Sequence, residues 1–116
     1  MRQPRLVEVE EAYFDLQTGG AEPGQFSQNI VIRLKSWPSG LRWDSLTIAG
    51  QHYPVDTNPA LYTLHCYRMI AREKAQIPVA NATLWGRYQN DVLQLPLDTL
   101  ALRHWIDMPV SPPPGD

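Results

Sequence analysis

The stretch from Asn58 to Ala75 constrains this chain most, because it carries boundary signals at both ends and no Gly or Pro between Ala60 and Ala75. Asn58 suits an N-cap, since its side-chain oxygen can accept a free amide of a first turn. Pro59 fits the first helical position, where its missing N–H costs nothing. Asp56 sits near the positive end of the dipole, and Arg68, Arg72 and Lys74 lie toward the negative end. Pro78 biases Ile77 away from helical dihedrals and closes the run. These signals predict one principal helix over about residues 59–76.

Spaced at about 100° per residue, that helix divides into two faces. Ala60, Thr63, Leu64, Tyr67, Ile70, Ala71 and Ala75 form a small apolar side that suits a sheet, and Cys66 borders it as a buried thiol. Leu61, Tyr62, His65, Arg68, Met69 and Arg72 form the opposite strip, linked by i, i+3 and i+4 steps. Aromatic, Met and Arg side chains are enriched at contact surfaces, so this strip is the candidate interaction surface. Its bland counterpart is a solvated face whose arginines merely suit the helix end.

Strands flank the helix on both sides. Leu6, Val7 and Val9 alternate with Glu8 and Glu10, then Ala12, Phe14 and Leu16 resume in the other phase, which predicts a bulge near Glu10 and Glu11. Gln17 to Gln25 reads as a loop and Phe26 to Trp37 as the clearest strand. Antiparallel pairing of these two strands sets Glu8 and Glu10 across from Arg33 and Lys35. Leu41 to Ile48, a connection at Ala49-Gly50-Gln51 and His52 to Val55 form a hairpin, with Pro54 confining the last strand to an edge. Ala82 to Tyr88 and Val92 to Leu95 form another, turning at Gln89-Asn90-Asp91. Residues 99–106 fit either a short helical turn capped by Asp98 or a strand. The expected fold is therefore α+β: a mainly antiparallel sheet of about five or six strands with one helix on one face. Residues 1–108 make a single domain, and 109–116 a flexible Pro-rich tail.

Composition narrows the function classes. At 116 residues and a net charge of −2, the chain suits one core and has no global attraction to nucleic acid or acidic membranes. Its single cysteine forms no internal disulfide, and no apolar run approaches the ~18–20 residues of a membrane span. The N-terminus turns acidic where a signal peptide needs an apolar stretch, so a cytoplasmic location is expected.

No catalytic, cofactor or metal constellation is legible. His52, His65, His104 and Cys66 lack metal-ligand spacing, and Gly19, Gly20 and Gly24 lack phosphate-loop spacing. The segment from Ile30 to Asn90 holds seven basic and three acidic residues, a net of +4, with aromatic neighbours. Arg42, Trp43, Trp85 and Arg87 are therefore a candidate nucleic-acid or ligand surface, since bases stack on aromatics and phosphates pair with arginine. The leading expectation is a non-catalytic protein-interaction module, with self-association as one form. The alternatives are a nucleic-acid-binding domain using the basic and aromatic segment, and a small-molecule or enzymatic pocket between helix and sheet lined by Trp43, Tyr67 and Trp85.

Overall fold

In a computed structural model, which describes residues 7–17 and 24–106, the chain is a two-layer β-sandwich. Its strands are β1 (Val9–Gln17), β2 (Gln25–Leu34), β3 (Leu41–Ile48), β4 (Gln51–Pro54), β5 (Asp56–Asn58), β6 (Thr63–Ala71), β7 (Ala82–Tyr88), β8 (Asp91–Pro96) and β9 (Leu102–Ile106). A five-stranded sheet runs in the order β5-β6-β2-β1-β9, and a four-stranded sheet in the order β4-β3-β7-β8.

The expected helix is overturned, and with it the α+β class. Thr63–Ala71 is strand β6, bracketed by one-turn 3-10 segments at Pro59–Leu61 and Arg72–Lys74. The boundary signals were genuine but mark these short turns. Asn58 makes no side-chain capping bond, and Tyr62 ends the first turn in the left-handed region at φ 57°. Between the turns, Thr63, His65, Cys66, Tyr67 and Ile70 are poor helix formers, and most of them suit a pleated strand. β6 also pairs over its full length with β2 and at one end with β5, so each of its two edges has a backbone partner. No helix covers a sheet among the described residues; the second sheet takes that place.

Other expectations hold, with one shift of register. β1 and β2 pair antiparallel with an irregularity between Val9 and Glu11. Glu8 meets Lys35 at 3.3 Å, but Glu11 rather than Glu10 meets Arg33, at 3.0 Å. The irregularity itself re-aims the carboxylates by one residue. The β3–β4 hairpin turns at Ala49 (φ 51°) and Gly50 (φ 85°), and β4 is an edge strand. The β7–β8 hairpin turns at Gln89 (φ 57°). Residues 102–106 are strand, but β9 lies parallel to β1, which requires a crossover that hairpin reasoning omits. The proposed tail and the Gly-rich part of the loop before β2 lie outside the described residues.

The core fills the space between the layers. Phe14, Leu16, Ile30, Ile32 and Leu64 of one sheet meet Leu41, Trp43, Leu46, Ile48 and Leu84 of the other. The chain crosses between layers after β2, β4, β6 and β8. The crossover after β6 buries Ala75 and Val79, and Val79 exchanges two backbone bonds with Leu100 at 2.8 and 2.9 Å. Among the described residues, no helix is long and apolar enough to cross a membrane.

Candidate interaction surface

Strand alternation decides which side chains of 61–72 share a surface. Leu64, Cys66, Arg68 and Ile70 point between the sheets, while Thr63, His65, Tyr67 and Met69 point outward. The expected strip of Leu61, Tyr62, His65, Arg68, Met69 and Arg72 is thereby redistributed. His65 and Met69 lie on the outer face, and Arg68 reaches inward to buried Gln28. Leu61 and Tyr62 occupy the turn before β6, whose Tyr62 carbonyl accepts from Leu34 N at 2.8 Å. Arg72 sits in the turn at the far end, where its N–H donates to Gly24 O at 2.9 Å. Tyr67, assigned by helical periodicity to the core side, is exposed instead.

The outer face of the five-stranded sheet is organised in rows set by cross-strand register. One row runs Asn58, Thr63, Arg33, Glu11; the next Asp56, His65, Val31, Tyr13; the third Tyr67, Asn29, Asp15, His104. His65 and Tyr67 stack at 5.9 Å with ring planes 9° apart, and His65 Nδ1 lies 3.2 Å from Asn29 Oδ1. Toward the β9 side, Glu11 carboxylate oxygens accept from Arg33 and Arg103, each at 3.0 Å. The Arg103 guanidinium sits 4.1 Å from the centre of the Tyr13 ring, within cation–π range. Asp15 is buried in the third row, and its Oδ1 has no hydrogen-bond partner among the described residues. Leu61, Tyr62, Tyr67 and Met69 are 64%, 43%, 56% and 47% exposed, a concentration of large apolar side chains within nine residues.

The Arg42, Trp43, Trp85, Arg87 set is split by the sheet. Trp43 is 7% exposed and faces the core, while Arg42, Trp85 and Arg87 are on the outer face of the four-stranded sheet. Arg42 and Arg87 are register partners, and Asp44 offsets Arg87 at 3.9 Å. Trp85 donates from Nε1 to Thr47 Oγ1 at 2.9 Å, which holds its ring half-buried along β3. Trp43, Tyr67 and Trp85 therefore face three different regions and do not line one pocket.

His65 and Cys66 face opposite sides, as adjacent strand residues must. Burial pushes the Cys66 thiol above its ordinary range; nearby Arg68 pulls it down and Asp56 adds to the rise. That is the setting of an inert thiol. Sequence reasoning missed the group formed inside by Gln28, Tyr53 and Arg68. Arg68 Nε donates to Gln28 Oε1 at 2.6 Å, Nη1 donates to Tyr53 Oη at 3.3 Å, and Tyr53 Oη donates to Gln51 Oε1 at 2.7 Å. One signal was available: Gln28 and Arg68 fall at inward positions of alternating strands, which a strand reading of β6 would have exposed.

Comparison of the chain with family models, curated proteins and solved structures gave no match.

Proposed function

We propose that the protein is a non-catalytic interaction module that self-associates through the outer face of its five-stranded sheet. The observation that carries this reading is the clustering of Leu61, Tyr62, Tyr67 and Met69 as exposed apolar groups on and beside β6. Thr63 and His65 separate the Leu61–Tyr62 pair from the Tyr67–Met69 pair, so these are two exposed apolar groups along one strand, and exposed apolar surface set among polar residues marks contact sites. Charge supports a second copy as the occupant. Asp56 lies at the β5 edge and Arg103 at the β9 edge, where Glu11 is shared between Arg103 and Arg33 of the central strand β2 and leaves a net positive charge. A two-fold axis parallel to the strands sets the β5 edge of one copy against the β9 edge of the other. A two-fold contact needs such self-complementarity. The divergence of His65 and Cys66, with the thiol pushed up by burial, weighs against a nucleophile pair. A cytoplasmic setting fits a reduced, buried cysteine.

Sedimentation velocity up to about 1 mM tests the reading, since an association of even about −4 kcal/mol is then substantially formed. A dimer is expected, with Tyr67→Ser and Met69→Ser shifting it toward monomer. A chain that stays monomeric over that range overturns the proposal.

A further inference from the structure

We propose a second site, separate from the outer face: the cleft between the sheets beside β6 binds a small carboxylate with an alkyl tail. The cleft holds about 340 Å³ and is lined by Gln28, Ile48, Arg68, Ile70, Lys74 and Ile77, with part of the β6–β7 crossover. That volume lies within the range of small-molecule sites, which are mostly apolar with a few placed polar groups. Here the apolar part is Ile48, Ile70 and Ile77, and the polar part is two cations and one amide.

The charge pattern selects the ligand. Arg68 and Lys74 both line the cleft, and among the described residues no Asp or Glu does. Among the described residues, neither cation has a carboxylate within ion-pair distance. Arg68 is nevertheless held in place. Buried Gln28 takes its Nε, Tyr53 takes its Nη1, and the Tyr53 ring lies 5.3 Å from the guanidinium carbon. These contacts fix the guanidinium plane without neutralising it and leave Nη2 unengaged among the described residues. A positioned guanidinium with free donors matches a carboxylate, and Lys74 supplies a second, more mobile positive charge. A single anionic head and an apolar body satisfy both halves of the cleft. A neutral alcohol of the same length satisfies only one, and an alkylamine opposes the charge.

Titrating the full chain with octanoate, octanol and octylamine, followed residue by residue in ¹H–¹⁵N NMR spectra, tests the assignment. Octanoate is expected to give saturable shifts at Ile48 and across residues 68–80. Octanol should bind at least about tenfold more weakly, and octylamine more weakly still, as charge-assisted bonds exceed neutral ones. Lys74→Met removes an exposed charge with little risk to folding, and Arg68→Gln removes the anchored one. Each should weaken octanoate several-fold while leaving octanol unchanged. Absence of saturable octanoate shifts, shifts mapping elsewhere, or equal binding of octanoate and octanol with Lys74→Met silent, would each overturn the proposal.

Discussion

Replacing Gly86 with alanine tests the packing of the four-stranded sheet at its tightest point. Gly86 on β7 is the register partner of Trp43 on β3, next to the irregularity between Trp43 and Ser45. A Cβ at Gly86 would sit 2.5 Å from Trp43 Cε3 and closer still to the backbone oxygen of Arg42. Neither neighbour yields freely. The oxygen belongs to the paired strand, so moving it widens the β3–β7 ladder, and the indole is buried in the core. Some relief is available, because Trp43 Nε1 has no hydrogen-bond partner among the described residues to hold the ring. Overpacking of this kind costs about 2–3 kcal/mol. At this length that lowers the melting temperature by roughly 10 °C. Where the added methyl meets open space, Gly→Ala has the opposite sign, stabilising by about 0.4–1 kcal/mol through the unfolded chain. Sign therefore decides the matter. Thermal melts of Gly86→Ala, Trp43→Leu and the double variant give the coupling between the two sites, expected at about 0.5–3 kcal/mol for contacting residues. A neutral or stabilising Gly86→Ala would refute the placement of Trp43 across from it.

The alternation of β6 predicts that Leu64→Ala costs about 2–5 kcal/mol while Tyr67→Ala stays within about 0.5 kcal/mol in the monomer; a helix with both on its apolar side would make both costly, so chemical denaturation separates the two. Arg68→Ala should cost about 1–3 kcal/mol, because buried Gln28 Oε1 loses its donor; a loss below about 0.5 kcal/mol, the expectation for a solvated arginine, would sink that contact. The Cys66 thiol, pushed above its ordinary value of 9.0 by burial, gives a signed pH dependence. The unfolded thiol ionises first, so stability is intact below that ordinary value and falls as pH rises from there toward the folded value. Cys66→Ala should flatten this alkaline decline, and an unchanged slope would assign it to other groups. Glu11→Gln removes the charge paired with both Arg33 and Arg103 and turns one of its two acceptor oxygens into a donor, so hydrogen exchange of the β9 amides should quicken while β7 is unaffected.

Most strands were legible because one face of each is wet and the other buried, which prints a period of two into β1, β2, β3 and β7. The bulge in β1 was legible as a phase change. β6 was not, for a physical reason: its alternation is masked at both faces. Arg68 points inward and is satisfied by Gln28, while Tyr67 and Met69 point outward. Scored by hydrophobicity alone, 63–71 loses its period of two and retains enough apolar residues at i, i+3 and i+4 to resemble a helix. Pro59 and Pro78 reinforced the error, since proline punctuates turns beside strands as readily as helix ends. The parallel placement of β9 leaves no local trace, because a crossover is a property of the whole chain.

The same masking falls on the two surfaces proposed to bind. A sheet folds without difficulty when inward positions are apolar and outward ones polar, and departures cost stability unless something offsets them. An arginine inside the sandwich requires desolvation, yet Gln28 and Tyr53 are arranged around it and it borders an open cleft. Exposed tyrosine and methionine on a strand leave apolar area in water, yet here they adjoin His65, whose row carries Asp56 at the β5 edge. Replacing Arg68 by leucine and Tyr67 by threonine would restore ordinary alternation to β6. Apart from Gln28, which loses its partner, the fold asks for neither exception. The two departures are therefore better explained by what each surface is proposed to meet than by what holds the sheets together, and they point in opposite directions from one strand: inward to the cleft proposed for a carboxylate, outward to the face proposed for a second copy of the chain.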